Sequence, residues 1–146
     1  MQERLDHWTA APELMQSVLQ LEKAAAESGL EYSLYELIKT RASQINGCAY
    51  CLHMHTRDAR KAGETEERLY LLSTWRESSY YSPRERAALA WTEALTLISQ
   101  NHDLDDLYQT VCQHFNEHER VALTLAISTI NVWNRFAIGF NSQHPQ

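Results

Sequence analysis

The stretch ELIKTRASQINGCAYCLHMH, residues 36–55, contains two helical patterns separated by one glycine. Before Gly47, apolar residues recur at spacings of three and four, which is typical of the buried face of a helix. Gly47 lies where that helix would end, because glycine readily adopts the backbone conformation of a helix C-terminus. A second helix is therefore predicted to begin near Cys48 and to end by Gly63, with Cys48 and Cys51 in its first turn.

Helical signals continue on both sides of this stretch, and strand signals are scarce. SLYE at residues 33–36 has the form of a capping box, SPRE at 82–85 adds a proline at the first helical position, and NEHE at 116–119 caps a last, apolar helix. We therefore expect one domain over residues 1–146 with an all-α fold, a compact bundle of about six or seven helices. The predicted helices span residues 13–28, 33–46, 48–62, 66–75, 82–99, 104–115 and 116–140.

The composition favours a soluble cytoplasmic protein that binds neither nucleic acid nor membrane. The 146 residues carry a formal net charge of -6, whereas binding to nucleic-acid phosphates needs a basic surface. No segment approaches the ~20 apolar residues that cross a bilayer, and the first residues lack the apolar core of a signal peptide. The 3 cysteines do not suit a secreted disulfide framework, so a C-x-x-C pair indicates a catalytic or metal-binding site.

The C-x-x-C pair and the histidine that follows it form one stripe on the predicted helix. Cys48, Cys51 and His55 stand at positions i, i+3 and i+7, whereas His53 falls off the stripe. Unpaired N–H groups at a helix start favour a thiolate, which indicates that Cys48 has the lower pKa. The imidazole of His55 lies one turn after Cys51 and can accept its proton, which favours Cys51 as the attacking thiol. The spacing alone leaves both assignments open.

Two other interpretations of the pattern stay open on the residues alone. Two cysteines and a histidine form part of a structural zinc set, which usually has four ligands. A second C-x-x-C or H-x3-H is absent from the sequence, so His102, or Cys112 with His114, would have to complete the set through the fold. The pattern also fits an ordinary helix surface. Cys112 is otherwise predicted to be a small core residue, since free cysteine is commonly buried.

A longer pattern, E-x11-C-x-x-C-x3-H, is filled at every position by Glu36, Cys48, Cys51 and His55. This pattern resembles the core motif of the AhpD-like alkylhydroperoxidases, within the carboxymuconolactone decarboxylase superfamily. The resemblance extends to residues 86–98 and 126–138. It implies an all-helical fold with the C-x-x-C at a helix start, and it implies homo-oligomers, commonly trimers or hexamers of small subunits.

The resemblance also implies a thiol peroxidase that acts on hydrogen peroxide or organic hydroperoxides. Cys51 would be the attacking thiolate, and Cys48 would resolve the resulting sulfenic acid to a disulfide. Glu36 and His55 would form the proton relay. A dithiol reductant, lipoyl-bearing or thioredoxin-like, would complete the turnover, and no haem, flavin or metal cofactor is needed.

One residue departs from the family pattern. The position before the second cysteine is a histidine of the relay in well-known members, and it is Tyr50 in this chain. A phenol with a pKa near 10 does not replace imidazole as a base at neutral pH, although it can donate a hydrogen bond to peroxide or water. Tyr50 therefore favours an alternative function, a thiol–disulfide reductase or redox sensor with little peroxidase activity.

Other residues have competing structural interpretations. As the third residue after Ser33, Glu36 is explained locally by the capping box, whereas the resemblance places it in the relay. Trp133 in the last helix is predicted to lie in the core or at a subunit contact. Asn131 and Asn134 of the same apolar helix need hydrogen-bond partners if they are buried.

Overall fold

The computed structural model describes residues 2–146, which form eight α-helices and two short 3-10 helices. No residue in this range forms a β-strand, and the all-α prediction is confirmed. The 3-10 helices are Leu72–Thr74, after the fifth α-helix, and Ile98–Gln100, after the sixth. The α-helices are α1 (His7–Ala10), α2 (Pro12–Ala26), α3 (Tyr32–Asn46), α4 (Ala49–Lys61), α5 (Glu66–Leu71), α6 (Pro83–Thr96), α7 (Asp105–His114) and α8 (Glu117–Phe140).

Helices α2–α8 correspond to the seven helices predicted from the sequence, and α1 is additional. At 4 residues α1 is too short to show an apolar period, so periodicity does not indicate it. Its start is fixed by Asp6, whose side-chain oxygen accepts hydrogen bonds from the backbone N–H groups of Trp8 at 3.0 Å and Thr9 at 3.2 Å.

Of the three capping boxes predicted from the sequence, two are confirmed and one is wrong. Ser82 with Glu85, and Asn116 with Glu119, form complete capping boxes at the starts of α6 and α8. The capping box predicted at residues 33–36 does not form, because α3 already begins at Tyr32 with Glu31 as its N-cap. Ser33 is exposed within the helix, while the side chain of Glu36 lies in the interior and is only 3% exposed.

Helix α3 runs through the centre of the bundle and packs against α4, α6 and α8. From Leu34 to Ser43 it is buried at every position except Arg41, which is half-buried. Its apolar residues Leu34 and Ile38 join the largest core cluster, between α6, α7 and α8. A helix covered on all sides also buries its polar residues, which must then find partners. These polar residues of α3 form much of the site described below.

Helix α8 is long and apolar enough, by length and composition, to be a candidate for crossing a membrane. In this fold it is a core helix that packs against α2, α3, α4, α6 and α7. Leu123, Ile127 and Ile130 on its inner face are at most 1% exposed. Burial of this inner face accounts for part of its apolar sequence, while Val121 and Ile138 on the same helix are exposed.

The first residues of the chain bind the C-terminal end of α8. The Arg4 guanidinium donates to the carbonyl oxygens of Ile138 at 3.0 Å and Gly139 at 2.9 Å, and the Arg4 backbone N–H donates to Phe140 at 2.8 Å. These are carbonyl groups that a helix C-terminus leaves without intrahelical partners. Because α1 follows directly, this contact places α1 beside the last turns of α8.

Candidate active site

The two cysteines of the C-x-x-C pair lie in contact at the start of α4. Gly47 ends α3 in the left-handed conformation, with φ +70°, as predicted. Helix α4 begins at Ala49, so Cys48 is its N-cap and lies just before the first turn in which it was predicted. The Cys51 backbone N–H donates to Cys48 Sγ at 3.3 Å, and the two Sγ atoms are 2.7 Å apart. Both thiols are free, and both residues are 1% exposed. The chain is therefore folded so that a disulfide between them needs little backbone movement.

The two thiols of the pair differ in acidity. Hydrogen bonds from the Cys51 thiol and then the Cys51 backbone N–H lower the pKa of Cys48 to about 7, although burial opposes them. The same contact raises the pKa of the Cys51 thiol, because that thiol donates to Cys48, and burial raises it further. Cys48 is therefore the more acidic thiol of the pair, and Cys51 holds its proton more strongly.

This difference in pKa predicts how the two thiols titrate. In a Cys112→Ser background, ultraviolet thiolate absorbance should show one thiolate per chain forming with a midpoint near pH 7, and the second only at much higher pH. Cys51→Ala removes the donor, so the Cys48 midpoint should rise toward the ordinary thiol value of about 8.5. A midpoint that stays near pH 7 in Cys51→Ala would exclude the Cys51 thiol as the cause.

His55 and Glu36 form a buried pair on adjacent helices. Nδ1 of His55 lies 3.0 Å from Oε2 of Glu36, and both side chains are 4% exposed. A carboxylate accepts a hydrogen bond from the facing ring nitrogen, so Nδ1 carries the hydrogen and, in the neutral ring, Nε2 keeps its lone pair. Within residues 2–146, this buried Nε2 has no hydrogen-bond partner. The arrangement leaves His55 with a free proton acceptor, held in orientation by Glu36.

A cavity of about 470 Å³ opens beside this pair. Cys51, His55 and Tyr50 line it, whereas Cys48 and Glu36 lie behind these residues and are not part of its wall. Its apolar wall and rim come from α1, α2, α4 and α8, with Trp8, Leu19, Met54, Trp133 and Phe136. The structure therefore brings together the four motif residues Glu36, Cys48, Cys51 and His55 with Tyr50, and it places Cys51 rather than Cys48 in the cavity wall.

The cavity also collects the buried polar atoms that lack partners in the described part of the chain. These atoms are His7 Nδ1, His55 Nε2 and Ser142 Oγ, and all three residues line it. Buried polar groups are normally satisfied by protein or water, so a polar molecule or ordered water is expected in this cavity. The cavity is thus apolar at its rim and offers unsatisfied hydrogen-bonding groups on its wall.

A second polar group of the cavity centres on Glu22 of α2. Its Oε1 accepts from Lys39 Nζ at 2.6 Å and from the Tyr35 hydroxyl at 2.8 Å, and its Oε2 accepts from Trp133 Nε1 at 3.0 Å. Burial raises the pKa of Glu22, but the Lys39 charge and these hydrogen bonds lower it on balance. Trp133 is half-buried in the cavity wall and stacks on Trp8, with ring centroids 5.8 Å apart. Trp133 is therefore only partly in the core, and the predicted alternative, a subunit contact, stays a prediction.

Asparagines from two helices support the cysteines from behind. The Asn46 amide donates to the side-chain oxygens of Asn131 and Asn134, each at 2.9 Å, and Asn134 donates to Ser43 Oγ at 3.1 Å. Asn131 also donates to Thr96 at 3.1 Å, so both buried asparagines have the partners predicted for them. Hydrogen bonding from Asn134 lowers the pKa of both cysteines, although it is a smaller effect than their mutual contact.

The remaining candidate residues lie outside the site. His53 is half-buried, does not line the cavity and stacks on His144 with centroids 4.8 Å apart. Cys112 is half-buried and accepts a hydrogen bond from Arg120 at 2.6 Å, so its prediction as a small core residue is wrong. The zinc interpretation finds no four-ligand set in residues 2–146. The group with metal-ligand spacing, within 4.8 Å, is Glu36, His55 and Asp58, and it contains neither cysteine of the motif.

Comparison with known families and relatives places this geometry in context. Residues 12–94 match the sequence model of the carboxymuconolactone decarboxylase family. The uncharacterized protein YdfG of Bacillus subtilis (strain 168) is 45% identical over 143 residues, which cover 98% of this chain and 97% of YdfG.

Solved structures share the fold. A protein of unknown function from Agrobacterium tumefaciens, suggested to be the antioxidant defence protein AhpD, superposes with a TM-score of 0.97 at 45% identity, covering 99% of both chains. The debrominase Bmp8 superposes with a TM-score of 0.84 at 20% identity, covering 94% of this chain and 74% of its own. At 20% identity this second similarity establishes the fold alone.

Proposed function

The chain belongs to the carboxymuconolactone decarboxylase family, in its AhpD-like group, and on this basis we propose that it is a thiol-dependent peroxidase. It reduces hydrogen peroxide or organic hydroperoxides through a dithiol–disulfide cycle of Cys51 and Cys48. Glu36 and His55 move the protons. The observation that carries this proposal is that Cys51 and His55 line the same cavity, and that the buried Nε2 of His55 has no hydrogen-bond partner among the described residues.

Access to the cavity favours Cys51 over Cys48 as the attacking sulfur. Cys48 has the lower pKa, which by itself would favour it as the attacking sulfur. A thiolate must however reach the peroxide oxygen, and Cys51 lines the cavity whereas Cys48 does not. We therefore assign the attack to Cys51, with His55 as the base that removes its proton. Cys48, the more acidic thiol and in contact with Cys51, is suited to the second step.

The first half of the cycle forms the sulfenic acid. His55 Nε2 accepts the Cys51 proton, and Glu36 stabilises the resulting imidazolium. The Cys51 thiolate attacks the terminal oxygen of the hydroperoxide, so an S–O bond forms, the O–O bond breaks and an alkoxide leaves. The His55 imidazolium returns its proton to the alkoxide, which departs as an alcohol. The sulfur is oxidised and the peroxide is reduced by two electrons.

The second half forms the disulfide and regenerates the thiols. The Cys48 thiolate attacks the Cys51 sulfur, the S–S bond forms and hydroxide leaves, taking a proton from solvent to give water. An external dithiol then reduces the disulfide by exchange. We propose a lipoyl-bearing or thioredoxin-like protein as this dithiol, in the cytoplasm, and a homo-oligomer of small subunits as the working form.

The direct test is a thiol count on the reduced protein before and after one equivalent of cumene hydroperoxide. We expect the loss of two thiols per chain and, by peptide mass spectrometry, one Cys48–Cys51 disulfide. A parallel sample without peroxide should keep all 3 thiols. Full retention of thiols with peroxide, combined with consumption of two by oxidised lipoamide, would overturn the peroxidase assignment. It would favour a thiol–disulfide reductase, the alternative suggested by Tyr50 at the position of the family's relay histidine.

A further inference from the structure

Lys39 is a buried cation in the wall of the reaction cavity. It lies one helical turn after Glu36 on α3 and is 4% exposed, and it lines the cavity together with Cys51 and His55. Its ammonium group donates to Glu22 Oε1 at 2.6 Å and lies 4.2 Å from the centre of the Tyr35 ring. No part of the cycle described above uses this residue.

A purely structural role would be to join α2 to α3 through the ion pair with Glu22. Buried ion pairs are a weak means of stabilisation, because desolvation of both charges offsets most of their attraction and apolar residues serve as well. An ammonium carries three N–H donors, and Glu22 accepts one of them. Lys39 therefore keeps hydrogen-bonding capacity and positive charge beyond what joining the two helices requires.

The other charges around the cavity are mostly negative. The wall includes the carboxylates of Glu3, Glu22 and Asp58, the imidazoles of His7 and His55, and the phenol of Tyr50. Behind the wall lie the Glu36 carboxylate and the Cys48 sulfur. Among the described residues of the wall, Lys39 is the one lysine or arginine. The proposed reaction nevertheless creates further negative charge here, first on Cys51 and then on the departing alkoxide.

We propose that the Lys39 ammonium stabilises the negative charge that forms at Cys51 when this thiol loses its proton. The inference rests on the proposed function only in taking Cys51 as the attacking sulfur. Lys39 acts through space on that sulfur, and Glu22 fixes its position. In line with this geometry, the Lys39 charge lowers the pKa of Cys51, against the larger opposing effects of the Cys48 hydrogen bond and burial.

The test measures Cys51 ionisation without peroxide. All variants carry Cys48→Ser and Cys112→Ser, so that Cys51 is the one thiol. The rate of Cys51 alkylation by iodoacetamide is measured against pH for the protein with the native Lys39 and for its Lys39→Met and Lys39→Arg variants. An interaction between unit charges several ångströms apart at an effective dielectric near 20 corresponds to about one to two pKa units. We therefore expect Lys39→Met to raise the apparent pKa by that amount and to slow alkylation at pH 7 about 10- to 100-fold. Lys39→Arg should restore most of the rate.

Glu22→Gln is the control that separates charge from structure. Both Lys39→Met and Glu22→Gln break the ion pair, so a structural role predicts changes of the same direction in the two variants. The electrostatic role predicts opposite directions, because Glu22→Gln leaves the cation and removes an anion. A circular dichroism melt identifies any variant that is unfolded at the assay temperature. The variants that remain folded still show whether the Cys51 pKa rises or falls.

Each outcome has one meaning. A Cys51 pKa that Lys39→Met leaves unchanged, or shifts in the same direction as Glu22→Gln, overturns the role of Lys39. A raised pKa in Lys39→Met with a lowered or unchanged pKa in Glu22→Gln supports it. Because no peroxide is present, this result stands apart from the thiol count with cumene hydroperoxide. The peroxidase assignment can therefore fail while the role of Lys39 survives, and the reverse.

Discussion

Replacing Cys51 with serine is expected to abolish peroxide reduction, with a fall in kcat/KM of at least about 1,000-fold. Serine keeps the size of the side chain and its place in the cavity wall, but a hydroxyl does not form an S–O bond. The measurement is the rate of cumene hydroperoxide consumption with a reducing dithiol in excess. Thiol counts on the same protein should show no loss, since Cys48 then has no partner sulfur.

Cys48→Ser and Cys112→Ser are the matched controls for this variant. With Cys48→Ser, attack still takes place at Cys51 but the disulfide does not form, so a sulfenic acid should accumulate and be trapped by dimedone. With Cys112→Ser the activity should be unchanged, since Cys112 binds Arg120 outside the cavity. If Cys48→Ser prevented sulfenic acid formation while Cys51→Ser allowed it, the two roles would have to be exchanged.

The second large effect is expected from replacing His55 with alanine, which should lower kcat/KM about 100- to 10,000-fold at neutral pH. The Cys51 pKa is raised by the contact with Cys48, so this thiol depends on a base to lose its proton. Without His55 the reaction should need a higher pH, because only an already ionised Cys51 can attack. The pH dependence of kcat/KM is therefore the decisive measurement, with the variant's activity rising at alkaline pH.

His53→Ala provides a control two residues away on the same helix. His53 stacks on His144 and does not line the cavity, so its removal should leave kcat/KM unchanged. Added imidazole should restore part of the His55→Ala activity, since a cavity of about 470 Å³ can hold the free base. Equal losses in the two variants would show that the fall comes from disturbance of α4 and not from loss of the base.

The local pattern around Gly47 predicted the part of the site that lies on α4. A glycine C-cap, a cysteine N-cap and helical spacing are determined within a few residues, and the structure keeps Cys48, Cys51 and His55 on one helix as expected. The same kind of local signal failed at Ser33. A serine three residues before a glutamate fits a capping box, but α3 begins one residue earlier, at Tyr32, and the Glu36 carboxylate pairs with His55 instead.

The rest of the site depends on contacts between distant residues, which spacing does not reveal. Glu22 and Trp133 are 111 positions apart and are joined by one hydrogen bond. In the sequence, Lys39 has the pattern of an ordinary charged residue of an amphipathic helix, and its partner Glu22 lies on a different helix. One signal was available, because a helix whose pattern holds a glutamate and a lysine three apart on its apolar side needs partners for both.

The contact between the two ends of the chain has a practical consequence for handling the protein. Arg4 binds the end of α8, the Asn141 amide donates to the Gln2 carbonyl oxygen at 2.8 Å, and Glu3, Ser142 and Gln143 all line the cavity. A purification tag fused at either end would thus start within a few residues of the cavity mouth. Tag-free protein, or a tag cleaved at its junction, is the appropriate material for every kinetic comparison of these variants.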